Sequence, residues 1–319
     1  MRVGLDLDFA AAVLGRGRLV ALPTETVYGL GADATNDEAV ARLYAAKGRP
    51  TFNPLIAHVK DGEAAGALVE MDARAQALME RFWPGPLTLV LPRRAGCEVS
   101  LLASAGLSTL AIRAPAHPFM QGVLKTFGRP IVAPSANLSG RVSPTCAEHV
   151  RQDFGDACAD LEYVVDGGDC ALGIESTVVS IDDDGVRLLR PGAVTRAALQ
   201  TVVKLVDGFV NSPDDALGHA SPGLSRSHYA PSLPVRLNAR EARPFEALLA
   251  FGDVDPTGFA EVFWLSREGS LVEAAACLFQ GLRRLDHAPL LGIAVSTIPE
   301  EGLGEAIIDR LRRAAADRD

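Results

Sequence analysis

Residues 19–31 read LVALPTETVYGLG, an apolar run that passes directly into a polar loop. Four consecutive apolar residues that end at a proline are typical of a short strand buried on both faces. The loop then presents two threonine hydroxyls and one carboxylate at the end of that strand. Because open α/β sheets bind ligands beyond the carboxyl ends of their strands, this loop is a candidate site. Taken alone, it is equally consistent with a Thr- and Gly-rich turn that binds nothing.

Similar apolar runs recur along the chain and alternate with segments of helical periodicity. Further strands are predicted at residues 87–91, 109–112, 131–133, 163–165, 247–251 and 290–295, and helices at 271–285 and 305–313. Two capping boxes, Thr35 with Glu38 and Thr145 with Glu148, predict helix starts. The pattern predicts an α/β or α+β fold with a twisted open mixed sheet and helices, followed by a small Rossmann-like β/α domain.

Length and composition favour a two-domain globular protein. The chain has 319 residues, of which 48% are hydrophobic and 22% charged, and one hydrophobic core rarely serves so long a chain. Between residues 211 and 234 the regular patterning gives way to Ser, Pro, Gly, Asp and His. This composition predicts an interdomain linker.

Charge and cysteine usage exclude several classes of protein. A net charge of −9 argues against coating nucleic acid by bulk electrostatics, so any RNA contact requires a local basic patch. The five cysteines form no C-x-x-C pair, which speaks against a zinc site or a disulfide framework. No apolar run approaches a membrane span, and we expect a cytoplasmic protein without a membrane contact.

The common nucleotide and metal motifs are absent from the sequence. No G-x-x-x-x-G-K-[ST] loop occurs, and the glycines near residue 30 lack the third member of a dinucleotide fingerprint. The acidic segment DDDG at 182–185 lies between two predicted strands, so a hairpin turn is favoured over a metal-binding loop. We predict no protein-held metal site.

Residues 47–50 read KGRP and end a predicted helix. One interpretation is that the two cations simply oppose the helix macrodipole, which contributes about 0.3 to 1 kcal/mol. The other is that the irregular turn aims Lys47 and Arg49 into a cleft, where lysine acts as a point charge and arginine as a fork for phosphate oxygens.

Two later loops carry similar polar groups. The first reads PSANLSG at 134–140 and continues to SPT at 143–145; the second reads GIESTVV at 173–179 and faces RPG at 190–192. Hydroxyls, an amide and free N–H groups near a helix start suit an anion, although a well-capped loop without a ligand has the same composition. No single loop decides a function.

Together and in this order, the loops resemble the YrdC-like family over residues 5–199. The segments that carry the resemblance are PTETVYGLG at 23–31, KGRP at 47–50, NPL at 53–55, WPGPLT at 83–88, AIR at 111–113, PSAN at 134–137 and EST at 175–177. The segments PG at 222–223, HYAP at 228–231 and PEEGLG at 299–304 are similar to the long two-domain form of the threonylcarbamoyl-AMP synthases.

The resemblance implies a domain plan and a reaction. It implies a YrdC-like catalytic domain at 5–199, a linker that acts as an active-site lid at 200–234, and a small β/α domain at 235–319. The implied reaction joins L-threonine, bicarbonate and ATP, with Mg²⁺, into threonylcarbamoyl adenylate and diphosphate. The product would feed the machinery that modifies tRNA beside the anticodon, and weak RNA binding stays open.

The resemblance also implies roles for particular residues. The implied ATP contacts are Lys47, Thr51, Thr109, Ser135, Ser143, Arg190 and Tyr229. The implied threonine contacts are Thr24, His58, Arg113, Ser176 and the backbone of Ala133. The implied catalytic groups are Lys47 and Arg49, which stabilise charge, and Ser135 and Asn137, which orient by hydrogen bonds.

Two residues have plain structural alternatives. His58 alternates with apolar neighbours, so without the resemblance it would be interpreted as a satisfied core histidine. Trp83, flanked by prolines, is interpreted as part of a rigid turn packed on the core.

Two other functions compete with the synthase. A double-stranded RNA-binding or ribosome-associated module would also have a cation-lined cleft, but the acidic total opposes it. A hydrogenase-maturation relative would carry zinc-finger segments, and the missing cysteine pairs oppose that alternative.

Overall fold

A computed structural model describes residues 1–155, 158–206 and 229–316. Its larger sheet mixes parallel and antiparallel neighbours in the order β1-β8-β2-β3-β7-β4-β6-β5-β9-β10. These strands are β1 Arg2–Gly4, β2 Leu19–Leu22, β3 Gly29–Asp33, β4 Ile56–His58, β5 Leu87–Pro92, β6 Thr109–Arg113, β7 Ile131–Val132, β8 Leu161–Val165, β9 Thr177–Asp182 and β10 Gly185–Arg190.

Helices cover both faces of this sheet. They are α1 Leu7–Gly15, α2 Asp37–Lys47, α3 Gly62–Gly66, α4 Ala73–Phe82, α5 Pro118–Phe127, α6 Ala147–Phe154 and α7 Arg196–Gln200. In β2, Leu19 and Ala21 belong to the apolar cluster that includes residues of α2, α4 and α6. Val20 and Leu22 belong to the cluster formed with α1 and α5. This division explains why β2 has no polar face.

The second sheet lies in the C-terminal part of the chain and is entirely parallel. It contains β11 Val235–Arg236, β12 Glu246–Phe251, β13 Glu261–Ser266 and β14 Gly292–Val295, in the order β11-β14-β12-β13, with α8 Leu271–Arg284 and α9 Leu303–Ala314. Leu249 and Val295 pack with both helices. Leu248 and Ala294 face the other way, where loop residues such as Ala239 cover them. The unit therefore has its two helices on one face of the sheet.

The predicted mixed sheet and the small β/α C-terminal domain are confirmed, as are most predicted elements. The DDDG segment forms the hairpin turn between β9 and β10, where the Asp182 carboxylate accepts hydrogen bonds from the N–H groups of Asp184 and Gly185. Trp83 packs on the core, and its indole N–H donates to the carbonyl of Leu87 at 2.7 Å.

None of the helices within the described ranges has the length and apolar content of a membrane span.

Both predicted capping boxes are wrong. The side chain of Asn36 caps α2, accepting from the N–H groups of Glu38 and Ala39. Thr35 instead donates its hydroxyl to the carboxylate of Asp33. At α6 the N-cap is Cys146, which makes no side-chain cap.

The two units meet through an apolar contact and a charged one. Val27, Val142 and Ile174 from the first unit belong to the same apolar cluster as α8 and α9. Arg283 of α8 donates to both carboxylate oxygens of Asp153 in α6, at 3.0 and 2.6 Å. These contacts fix the second unit beside the polar loops of the first.

Candidate active site

The polar loops of the first unit converge on one cavity of about 500 Å³, counting its open mouth. Its wall takes residues from the loop after β2, the turn after α2, the ends of β4 and β6, the loop after β7, and the segments around β9 and β10. Tyr229, at the start of the described C-terminal part, completes the wall. The loops that the sequence singled out separately thus form a single site.

Arg113, at the end of β6, occupies one side of the cavity. Its guanidinium donates to the carboxylate of Glu25 at 2.6 Å and to the hydroxyl of Thr26 at 3.0 Å. Its Nε donates to the carbonyl of Gly85 at 3.1 Å. Arg113 is 3% exposed, so these three bonds hold a buried planar fork in one orientation. Such a fork matches the geometry of a carboxylate.

His58 lies on the neighbouring strand β4, opposite Arg113 in the register of the sheet. Burial, together with the nearby Arg113 charge, lowers the pKa of His58 to about 3. The imidazole is therefore neutral near pH 7. Its buried Nδ1 forms no hydrogen bond, although backbone groups of Ile131 and Ile56 act on the ring and oppose part of the lowering of its pKa.

Two arginines form another part of the wall. Arg49 is held by the carbonyls of Asn53 and Pro54 and by the Asn53 side chain, and burial lowers its pKa to about 10. Arg190 donates to the carbonyl of Ser176 at 2.8 Å and to its hydroxyl at 3.2 Å, and burial lowers its pKa as well. Two buried guanidinium groups at one cavity favour an anionic ligand.

Lys47 stands behind the wall. Its Nζ donates to the carbonyls of Ser135 and Asn137, at 2.5 Å each. Burial, with a smaller effect of Arg49, holds the pKa of Lys47 well below its usual value. These acceptors lie in the loop after β7 and not at the end of its own helix, so the macrodipole interpretation does not account for the contact. Lys47 fixes the loop that carries Ser135.

Tyr229 is held in place by the second unit. Its backbone adopts the left-handed conformation, with φ of 61°, and its side chain is 1% exposed. The ring stacks on Phe279 of α8 at 5.6 Å between centroids. The guanidinium of Arg310 in α9 lies 5.4 Å from the ring centroid. The C-terminal unit therefore shapes one wall of the cavity.

The structure brings most of the predicted site residues together. On the wall lie Arg49, His58, Arg113, Ala133, Ser135, Ser176, Arg190 and Tyr229. Directly behind it lie Lys47, Thr24, Asn137 and Ser143. Thr24 bonds the hydroxyl of Thr26, Asn137 donates its amide to the carbonyls of Leu138 and Arg141, and Ser143 donates to Glu175.

Two predicted ATP contacts lie away from the wall. Thr51 is exposed in the turn after α2. Thr109 is the first residue of β6, at the opposite end of that strand from Arg113. Most of the predicted lid also cannot be placed, because residues 207–228, including Pro222, Gly223 and His228, lie outside the described residues.

Three residues with direct roles in the geometry had no role assigned from the sequence. Thr26 and Glu25 hold Arg113, and both lie in the opening segment, where their hydrogen-bonding groups were visible. Arg310 contacts Glu175 and Tyr229, but in the sequence it is one more arginine on a helix with polar and apolar faces. Only the spatial meeting of the two units identifies it.

Comparison with known proteins finds relatives along the whole chain. The Sua5/YciO/YrdC family, described as "Telomere recombination", matches residues 12–192. The family described as "Threonylcarbamoyl-AMP synthase, C-terminal domain" matches residues 194–316. A threonylcarbamoyl-AMP synthase of Bacillus subtilis is 39% identical over 97% of this chain and 92% of its own length. One of Pyrococcus abyssi is 39% identical over 98% of this chain and 94% of its own.

A solved structure is similar to this chain over nearly its whole length. The crystal structure of P. abyssi Sua5 complexed with L-threonine superposes with a TM-score of 0.86 at 37% identity. It covers 97% of this chain and 94% of that chain.

Proposed function

Since this chain belongs to the Sua5/YciO/YrdC family, in the form that also carries the threonylcarbamoyl-AMP synthase C-terminal domain, we propose that it is a threonylcarbamoyl-AMP synthase. As a nucleotidyltransferase, it would convert L-threonine, bicarbonate and ATP into L-threonylcarbamoyladenylate and diphosphate. The product would serve the machinery that forms N6-threonylcarbamoyladenosine in tRNA.

The observation that carries this proposal is a single cavity lined by three buried arginines, Arg49, Arg113 and Arg190. We assign Arg113, with neutral His58 opposite it in the sheet, to an amino-acid carboxylate. We assign Arg49 and Arg190 to phosphates. An enzyme that joins an amino acid to a nucleotide needs both kinds of contact within one enclosure, whereas an RNA-binding cleft needs only the phosphate contacts.

The chemistry requires no covalent nucleophile from the protein. The threonine amine combines with bicarbonate, losing water, to give a carbamate. A carbamate oxygen then attacks the α-phosphorus, and the bond to the leaving diphosphate breaks. Such a reaction is accelerated mainly by positioning and by stabilising charge. We assign positioning of threonine to Arg113, and charge stabilisation on the phosphates to Arg49 and Arg190.

The other predicted site residues are assigned to the same two ligands. Ser176, Thr24 and the backbone of Ala133 are proposed for threonine, and Ser135, Ser143, Tyr229, Thr51 and Thr109 for ATP. Lys47, Ser135 and Asn137 keep their proposed catalytic roles; the observed bonds of Lys47 support a role in shaping the Ser135 loop.

Mg²⁺ belongs to the proposal as an ion that arrives with ATP. Among the described residues, no group of three His, Cys, Asp or Glu side chains is placed to hold a metal. Arginines and hydroxyls at the wall are compatible with an ion held by nucleotide phosphates, which is a common arrangement for Mg²⁺. When bound there, it would neutralise phosphate charge.

The deciding experiment measures diphosphate release by the purified protein with ATP and Mg²⁺ while threonine and bicarbonate are omitted in turn. We expect release only when both are present. Valine is the matched control amino acid, because it has the shape of threonine without the hydroxyl; a site that hydrogen-bonds that hydroxyl should reject it strongly. Equal release without threonine or bicarbonate would refute the synthase proposal, and an RNA-binding module should show no such dependence.

A further inference from the structure

Arg310 is the most deeply buried charged residue of the C-terminal unit, with 0% of its surface exposed. It lies on α9, yet its side chain reaches the first unit. Its Nε donates to the Glu175 carboxylate at 3.0 Å, and its Nη1 donates to the carbonyl of Pro191 at 2.7 Å and to Asp309 at 2.8 Å. Burying a guanidinium is costly unless it is paired. The residues that bond the Arg310 guanidinium are therefore the ones whose positions it fixes.

Glu175 links Arg310 to the cavity. It lies on the wall, and its second carboxylate oxygen accepts a hydrogen bond from the Ser143 hydroxyl at 2.6 Å. Arg310 thus fixes one oxygen of a carboxylate whose other oxygen fixes Ser143, in the loop after β7. A charge-assisted chain of this kind holds both loops in a single arrangement.

The same guanidinium also confines the ring of Tyr229. Arg310 lies 5.4 Å from the ring centroid, and Phe279 stacks on the ring at 5.6 Å. A cation near an aromatic ring and a stacked second ring both favour one ring position. Arg310 therefore contacts Tyr229 and Glu175 directly. It supports Ser143 indirectly, through Glu175.

We propose that Arg310 is a positioning residue through which the C-terminal unit completes the nucleotide part of the site, by fixing the Glu175–Ser143 pair and the Tyr229 ring. The inference rests on the proposed function and specifies how the second unit takes part in it. Arg310 is absent from the cavity wall, so it acts through its neighbours and does not touch the substrates.

The test is the dissociation constant for ATP, measured by titration calorimetry without threonine or bicarbonate. Arg310→Met keeps the aliphatic stem and removes the donors. Arg310→Lys keeps the charge but offers one nitrogen in place of the fork. We expect ATP binding to weaken by about tenfold or more in the Met variant, the order of loss seen when a supporting hydrogen-bond partner is removed from behind a metal ligand. The Lys variant should fall between Met and wild type.

Arg236→Met is the matched control. Arg236 pairs with the Glu246 carboxylate in the same unit, and the Glu246 and Glu175 side chains are 7% and 8% exposed. The control therefore leaves a similarly buried carboxylate without its arginine at a place that is not part of the cavity wall. It should lower the melting temperature and leave ATP binding unchanged. In steady-state assays, the Arg310 variants should raise the KM for ATP more than the KM for threonine.

The outcomes separate this inference from the proposed function. Wild-type ATP affinity in folded Arg310→Met or Arg310→Lys would overturn the positioning role, as would equal weakening in Arg236→Met. If Arg310→Met does not fold, Arg310→Lys decides the question. Diphosphate release that ignores threonine and bicarbonate would refute the synthase proposal, whereas the ATP affinities would still test Arg310.

Discussion

Lys47 and His58 show how far single residues can be interpreted from the sequence. Alternation with apolar neighbours predicted the burial of His58, and the structure confirms that burial. Its unpartnered Nδ1 was not predictable, because it depends on strands β6 and β7 that pair with β4. Likewise, the end of a helix was visible at Lys47, but its acceptors lie about 90 residues away along the chain.

The contacts of Lys47 change what its removal should do. A residue that only stabilised charge in the reaction could be lost at little cost to folding. Lys47→Ala instead removes the side-chain donor of the buried Asn137 carbonyl and one of the two donors of the Ser135 carbonyl, which keeps the N–H of Asn137. A buried carbonyl that loses its donor costs about 1–3 kcal/mol. We expect a lower urea midpoint together with a loss of about 10²- to 10³-fold in diphosphate release, the range for a charge-stabilising donor.

Lys60→Ala is the control for this prediction, because the Lys60 side chain is exposed and forms a long ion pair of 3.8 Å with Asp61. This variant should change neither the urea midpoint nor the rate of diphosphate release. Activity is to be compared at a temperature where circular dichroism shows Lys47→Ala fully folded. A folded variant with wild-type turnover would contradict any catalytic part for Lys47, and an unchanged urea midpoint would contradict its role in holding the loop.

Among the elements, those defined by dense apolar runs were predicted well. The run at 19–22 is strand β2 at the predicted bounds, because apolar residues on both faces leave it no other stable environment. The start of α8 was predicted at the observed residue, whereas the caps of α2 and α6 were predicted wrongly. At α2, Thr35 is engaged by Asp33, so Asn36 becomes the cap. The competing Asp33 lies two residues before Thr35 and outside the four residues of the capping-box motif, so the motif alone does not reveal it.

Gly173 provides a test of how closely α8 lies against the first unit. A Cβ at this position would be 2.4 Å from the carbonyl oxygen of Ala276 and 2.5 Å from its Cα, and φ is +66°. Gly252 has a similar φ of +71°, but a Cβ there would meet nothing within 4 Å. An alanine would therefore meet the same left-handed backbone strain at either position, but only at Gly173 would its Cβ also meet packed atoms.

We expect Gly252→Ala to cost about 1–2 kcal/mol, the penalty for a left-handed residue. Gly173→Ala should lose about 1–3 kcal/mol more, because α8 must move to make room. Chemical denaturation of the two variants provides the comparison. Equal losses would show that α8 does not rest against Gly173.

For the molecule as a whole, the sequence predicted two units but not how they cooperate. The Arg310–Glu175 contact joins residues 135 positions apart, and no local pattern encodes such a pairing. The sequence places the end of the first unit at residue 199, and that boundary stays a prediction. Val202, Val203 and Leu205 pack on its core, and Val206 donates its N–H to the carbonyl of Val186 at 2.9 Å. We therefore propose that the catalytic unit extends to Val206, beyond the expected end at residue 199.

This boundary can be tested together with the role of the second unit by comparing truncations after Leu199 and after Val206 with the full chain. Both truncated proteins keep the two helix-covered faces of the large sheet, so we expect both to fold. The shorter one loses residues 200–206, whose half-buried side chains contribute about 2 kcal/mol, and its melting temperature should be lower by about 4 °C or more.

Neither truncated protein should synthesise the adenylate efficiently. Both lack Tyr229 from the cavity wall and the Arg310 support behind it, and they expose the apolar surface around Ile174 that α8 and α9 cover in the full chain. Misplacement of groups around a reacting centre by about 1 Å can cost 10²-fold, so we expect at least that loss in diphosphate release. Full-length activity in either truncated protein would mean that the second unit is dispensable for the site. Equal melting temperatures of the two truncated proteins would contradict the extension, and the first unit would then end at residue 199.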